Sequence, residues 1–143
     1  MKNDQPLLTL FRVTKEVHRQ SFFSYEGIGV HHGQPRLLKI LKENEGWTLS
    51  ELSLKMRSEM ATVSKMVKRM EHAGFLLRRR DEKDSRIIRV FLSDSGKKAA
   101  ADVDKVHEEM NSLLCRSLTG EEREALQFLL DKVLRDLLNE ENK

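Results

Sequence analysis

Apolar residues recur at helical spacing along most of the chain and alternate along only one stretch. Leu7, Leu10, Phe11, Val17 and Phe22 share one face of an expected helix over about 7–23, with Thr14 and His18 as polar members and Val13 at the border. Gly27 and Gly29 interrupt that pattern. A second helix is expected over about 33–43, with Leu37, Leu38, Ile40 and Leu41 inward. Pro35 is tolerated in its first turn, where backbone N–H groups have no intrahelical partner, and Gly46 follows its end. Thr48-Leu49-Ser50-Glu51 is a capping-box pattern that opens a short helix through about residue 55. Arg57 and Ser58 form a tight break. Ser58 is the expected N-cap of a helix from Glu59 to His72 or Ala73, which Gly74 ends.

The period then changes. Residues 75–80 and 86–92 read as two strands, the second with Ile88, Val90 and Leu92 alternating against Ile87, Arg89 and Phe91. The polar stretch Asp81-Glu82-Lys83-Asp84-Ser85 is a hairpin tip. Ser93 caps a long helix to about residue 116, and Thr119-Gly120-Glu121-Glu122 is a second capping box opening a helix to about residue 139. The predicted fold is therefore mainly α with a small β-hairpin wing. Two helices joined by a tight turn and followed by a hairpin make a winged helix-turn-helix, flanked by N- and C-terminal helices. The last helix carries Leu126, Leu129, Leu130, Val133, Leu134, Leu137 and Leu138, a stripe too broad for a small monomer to cover, and a second copy can bury it.

On the helix over 59–73, Met60, Val63, Met66, Val67 and Met70 fall on one side. Ser58, Ala61, Lys65, Lys68, Arg69 and His72 fall on the other, with Thr62 on the flank. Small residues near the N-terminal end let such a helix sit deep in a major groove. Lys65 and Arg69 then reach bases or phosphates, and Ser58 can donate to a phosphate. An ordinary amphipathic surface helix has the same layout.

Charge sharpens the choice. Residues 57–92 hold ten Lys or Arg against five Asp or Glu, whereas the rest of the chain holds sixteen against eighteen. A basic middle between mildly acidic flanks suits a polyanion partner, although a solvated charged face also fits. Arg78, Arg79, Arg80, Lys83 and Arg86 crowd one short ribbon whose mutual repulsion a polyanion would relieve. A wing tip fits the minor groove, where negative potential favours an inserted arginine. The competing reading is a hairpin charged to resist edge-to-edge aggregation.

Residues 48–96 resemble the multiple-antibiotic-resistance regulator (MarR) family, through TLSELSLKM, SEMATVSKMVKRMEHAGFLLRR and DEKDSRIIRVFLSDSGKKA. Asp84-Ser85-Arg86-Ile87-Ile88-Arg89 resembles its wing motif Asp-x-Arg-x-x-Arg, and Leu92-Ser93-Asp94-Ser95-Gly96 its lead-in to the long fifth helix. Val30-His31-His32-Gly33-Gln34 resembles the start of its second helix, with His31 where the family often has Thr or Ser. The resemblance implies a bacterial regulator that binds a near-palindromic operator in double-stranded DNA as a homodimer. It implies one MarR-like domain over 1–143, with 30–92 as the DNA-binding part and 1–29 and 94–143 as the dimerisation part.

It further implies that Ser58, Ala61, Thr62, Lys65, Lys68, Arg69, Lys83 and Arg86 meet DNA, with Arg86 reaching the minor groove. Asp84 and Arg89 would orient the wing. A small aromatic or anionic effector would sit in a crevice for which Phe11, His18, Phe22, Tyr25, His31, His32 and Arg36 are the candidates. Several of these have plainer readings: Phe11 and Phe22 as core, Tyr25 and Arg36 as surface or dimer contacts.

Other functions find less support. His31 and His32 with His18 or His107 could bind zinc, but adjacent histidines in a turn are poorly placed to share one ion. Cys115 is the single cysteine, which excludes an internal disulfide; it could sense oxidants, or be an inert thiol among Leu113, Leu114 and Leu118. A metal- or redox-sensing regulator of the same fold, or a winged module that binds protein, thus stays as the alternative. No P-loop, dinucleotide fingerprint, metalloprotease motif or nucleophile elbow is present, so no enzyme, cofactor or metal is expected. No stretch reaches the roughly 20 apolar residues of a membrane span, and the N-terminus lacks an apolar signal core, so a cytoplasmic protein with no membrane partner is expected.

Overall fold

The computed structural model describes residues 5–140. Its elements run α1 (Pro6–Ile28), α2 (Gln34–Glu43), α3 (Leu49–Met56), α4 (Met60–His72), β1 (Leu76–Arg80), β2 (Ile88–Leu92), α5 (Asp94–Leu114) and α6 (Gly120–Glu140). The mainly α fold with a hairpin wing is as expected. Its differences from the sequence reading lie at element ends.

Helix α1 runs five residues past its expected end. One exposed glycine disfavours a helix by only about 1 kcal/mol, so Gly27 does not stop it. Gly29 does: at φ +87° its N–H donates to the Tyr25 and Glu26 carbonyls. The Thr48–Glu51 capping box forms, with Glu51 N–H donating to Thr48 Oγ1 (3.2 Å) and Thr48 N–H to Glu51 Oε2 (2.8 Å).

Ser58 is not the N-cap of α4; Glu59 takes that position. Arg57 closes α3 in the left-handed conformation (φ +52°), and the Ser58 N–H donates back to the Ser53 carbonyl (3.1 Å). Ser58 therefore still belongs to the end of α3, and its hydroxyl donates to the Met56 carbonyl (3.3 Å) rather than serving α4.

The strands pair antiparallel with Leu76 opposite Leu92, Arg78 opposite Val90 and Arg80 opposite Ile88. Trp47 joins them through an isolated bridge, its carbonyl accepting from Val90 N–H (2.9 Å). Phe75, expected in β1, instead donates its N–H to the Met70 carbonyl as part of the α4 stop. At the wing exit Ser93 Oγ accepts from Gly96 N–H (3.0 Å), as a cap should. A Cβ on Gly96 would lie 2.0 Å from the Phe75 carbonyl oxygen, so α5 can start here only with glycine.

The described chain falls into two compact units, divided between Glu108 and Glu109. The first holds the core: Leu37, Leu38 and Leu41 of α2, Leu52 and Met56 of α3, Val63, Val67 and Met70 of α4, Leu76, Val90 and Leu92 of the hairpin, and Ala99, Ala100 and Val103 of α5. Full burial of each leucine contributes roughly 1.5–3 kcal/mol. Helix α1 buries only Ser21, leaving Leu7, Leu10, Phe11 and Phe23 exposed. In the second unit α6 buries nothing, and Leu129, Val133, Leu134 and Leu137 are each more than half exposed. Its expected capping box forms, Glu122 N–H donating to Thr119 Oγ1 (3.2 Å). Among the described residues no helix is long and apolar enough to cross a membrane.

Candidate nucleic-acid interface

Helix α4 is anchored from below. Val63, Val67 and Met70 are buried and Met66 is partly buried against the core, which fixes the rotation of the helix. Met60, expected on the same side, is half exposed because it sits at the first helical position, ahead of the core. With that rotation Ala61, Thr62, Lys65, Lys68 and Arg69 are all exposed. Lys65, Lys68 and Arg69 make no side-chain hydrogen bond or ion pair among the described residues. Ser58, Thr62, Lys65 and Arg69 line one open groove, whose other wall is the segment His31, His32 and Gly33 together with Arg36. Ala61 and Lys68 lie outside that groove.

The wing holds its cations differently. Arg78 ties β1 to α4 by two bonds to the Glu71 carboxylate (2.8 and 2.9 Å), which holds that carboxyl below its usual range. Arg79 lies over the Phe91 ring at 5.2 Å. Arg80 donates to the Ser85 carbonyl (2.9 Å). Arg86 makes a bidentate pair with Asp84 (3.0 and 2.9 Å), yet its side chain is 88% exposed. Lys83 has no side-chain partner among the described residues.

Asp84, expected to orient the wing, is engaged locally at the hairpin tip with Arg86. Arg89, the other expected wing-orienting residue, reaches out of the wing to Gly46 and Glu51, and Asp81 holds its guanidinium. The Asp81 carboxylate accepts from Arg89 Nε (2.5 Å) and from the N–H groups of Lys83 (2.8 Å) and Asp84 (3.0 Å). Those donors, the Arg89 guanidinium foremost, lower its pKa from 3.8 to about 2. Arg89 then donates to the Gly46 carbonyl (2.8 Å) and lies 3.9 Å from Glu51 of α3. Asp81 was legible in principle. Opposite Ile87 in the hairpin, it is diagonal to Arg89, within reach of a long side chain.

A second concavity, of about 350 Å³, opens between α1, α2 and α5. It is lined by His18, Phe22 and Tyr25 of α1, by Val30, His31 and His32, by Pro35, Arg36 and Lys39 of α2, and by His107 of α5. Six of the seven crevice candidates meet here. Phe11 does not: it lies seven residues before His18, about 10 Å further along the α1 axis, and is 59% exposed. Lys39 and His107 were missed, His107 because nothing local links it to α1. The His18 and His32 rings meet edge-on at 5.7 Å, as do Tyr25 and His107 at 6.1 Å. Burial raises the Tyr25 pKa. Burial, and then Lys39, lower that of His107, against the opposing pull of Asp104. Among the described residues no group of three His, Cys, Asp or Glu is placed to hold a metal ion. Cys115 is a free, half-buried thiol.

Helix, tight turn, exposed basic helix and braced hairpin together define the class of winged helix-turn-helix proteins. The MarR family profile matches residues 31–88. The uncharacterized HTH-type transcriptional regulator YybA of Bacillus subtilis is 24% identical over 82% of this chain and 78% of its own length. A crystal structure of MarR superposes with a TM-score of 0.83 at 20% identity, covering 99% of this chain and 97% of that one. The Staphylococcus aureus MepR structure, solved as a complex with DNA, gives 0.83 at 22% identity over 92% and 98%. Residues 31–88 are thus similar to the MarR family, and the fold over nearly the whole chain is that of the MarR and MepR structures. The curated relatives found are named as transcriptional regulators, among them the HTH-type transcriptional regulator TtmR of Methylorubrum extorquens, 28% identical over 72% of this chain and 54% of its own length.

Proposed function

We propose that the protein is a cytoplasmic, sequence-specific regulator that binds a pseudo-palindromic operator in double-stranded DNA as a homodimer and represses transcription until a small aromatic or anionic effector enters the cavity of α1, α2 and α5. The observation that carries this reading is the exposed face of α4. Lys65, Lys68 and Arg69, without side-chain partners among the described residues, stand beside Ala61 and Thr62 on a helix whose opposite face is locked into the core. A protein-binding face of this kind would carry aromatic or aliphatic anchors instead. Ser58, Ala61, Thr62, Lys65, Lys68 and Arg69 meet the major groove, and Lys83 and Arg86 follow the backbone or minor groove. Residues 30–92 form the DNA-binding part.

The flanking parts of the chain, residues 1–29 and 94–143, supply the dimer contacts. The apolar faces of α1 and α6 support this, because a monomer seldom leaves so many large apolar side chains in water. Two-fold symmetry then presents two α4 helices to two half-sites.

Selection of bound duplexes from random DNA tests the reading. The expected product is a near-palindrome whose half-site centres lie about one helical turn, roughly 34–36 Å, apart or a multiple of it. Enrichment of no motif, or of one without dyad symmetry, contradicts it.

A further inference from the structure

We propose that Arg36 is a positioning residue that couples the cavity to α4: its guanidinium holds the end of α3 in place, and an anion in the cavity draws it away. The proposal rests on the effector reading above and adds the ligand charge and the path of the signal.

Arg36 lines both the cavity and the groove beside α4. Its Nη1 donates to the Met56 carbonyl (3.0 Å) and its Nη2 to the Lys55 carbonyl (3.2 Å). These are carbonyls of the last turn of α3, which lack intrahelical partners and lie at the negative end of the helix dipole. Arg57 follows in its left-handed conformation, and α4 begins three residues later. Arg36 thus braces the turn from which α4 departs.

A second contact runs the same way. Gly33 has φ +81°, and a Cβ there would lie 2.8 Å from Met66 Cε of α4. The segment 31–33 therefore packs closely on α4, while its His31, His32 and Gly33 also line the cavity. Whatever fills the cavity touches a side chain and a segment that both bear on α4.

Charge decides the ligand class. The cavity wall carries the fixed cations Arg36 and Lys39 against one carboxylate, Glu26, with four histidines between them of which His107 is held toward its neutral form. A carboxylate ligand offers Arg36 a bidentate, charge-assisted pair, which is stronger than two bonds to neutral carbonyls. When Arg36 turns to it, the Met56 carbonyl keeps the Ser58 hydroxyl and the Lys55 carbonyl passes to water. The turn loosens without unfolding. A neutral ligand of the same shape leaves Arg36 where it is, and a ligand shifts an equilibrium only by its differential affinity for the two states.

Benzoate and benzamide are matched probes. Binding is followed by the ring resonances of His18 and His107. Affinity for the selected duplex is measured by fluorescence anisotropy, at saturating probe, for the wild type, Arg36→Met and Arg36→Lys. Benzoate should weaken DNA binding of the wild type by about 10-fold, within the usual range of coupling between sites, and benzamide by less than about 2-fold. Arg36→Met should start about 10-fold weaker and show no further loss with benzoate. Arg36→Lys, which keeps the charge but not the fork, should fall between. Amide exchange at residues 57–60 should quicken with benzoate in the wild type and be fast from the outset in Arg36→Met. If benzoate seats in the cavity but weakens wild type and Arg36→Met equally, or if Arg36→Met binds DNA like the wild type, the coupling is wrong and the effector reading survives. If neither probe perturbs the histidine resonances at millimolar concentration, the effector reading fails and the coupling with it.

Discussion

Helix α4 and the wing both present cations, but they hold them differently. On α4, Lys65, Lys68 and Arg69 stand without an ion pair among the described residues. On the wing, Arg78, Arg86 and Arg89 each grip a carboxylate and Arg80 grips a carbonyl. An unpaired surface cation that meets a phosphate gives up only water and counterions. A paired one must first release its carboxylate. Affinity should therefore concentrate in α4, while the ion pairs of the wing fix its shape and direction. Arg86 sits between these cases, since an exposed pair is worth about 0–1 kcal/mol and can exchange.

The largest expected effect comes from stripping α4. Lys65→Ala with Arg69→Ala should weaken duplex binding by at least about 100-fold, at about 1–3 kcal/mol per lost base or phosphate contact. The melting temperature should stay the same, because neither side chain packs on the core. A loss under about 5-fold would place the affinity elsewhere.

Gly96→Ala attacks the frame that both surfaces share. Its Cβ would meet backbone, which cannot turn aside, so a destabilisation of more than about 3 kcal/mol is expected in thermal or urea unfolding. Wild-type stability would contradict the packing of α5 on Phe75.

Smaller effects separate the wing's two pairs. Arg89→Ala frees Asp81 and the Gly46 carbonyl together. Amide exchange should quicken across 81–87, and DNA affinity should fall about 5- to 10-fold, or roughly 1–1.4 kcal/mol. Arg86→Ala should cost only about 3-fold in affinity and leave exchange in the wing unchanged. If Arg86→Ala proves the more damaging, the proposed division of labour is reversed.

Acid gives the gentlest test. The folded pKa of Asp81, about 2, lies below its ordinary 3.8, so the pair with Arg89 contributes fully above about pH 4 and is lost as pH falls through about 2. The Arg89 Nε–H resonance should hold its position from pH 8 to about pH 4 and move only below that. A transition near pH 6 would mean that another group governs the wing.

Much of this was legible in the sequence because local rules and core burial agree there. Both Thr–Glu capping boxes form, and Val63, Val67 and Met70 fall inward as the helical period requires. What was not legible depends on contacts across the fold. Ser58 looks like an N-cap, but the left-handed Arg57 commits it to the end of α3. The motif points to Asp84 and Arg89, which pair with Arg86 and reach Gly46 respectively, but it gives no sign of Asp81, which holds Arg89 from the other side of the hairpin. His107 enters the cavity from α5, far from α1 and α2 in sequence. The bonds of Arg36 to the end of α3 span some twenty residues and leave no periodic trace.

The claim that most depends on measurement is that unpaired cations of two subunits meet the phosphates of one duplex. The affinity for the selected operator should be titrated against salt. Lys65, Lys68, Arg69 and Lys83 from each of two subunits predict a slope of log affinity on log salt of about −7, from about 0.9 per neutralised phosphate. A slope near −1 or −2 would mean that these side chains do not face the DNA backbone, and the interface described for α4 and the wing would be wrong.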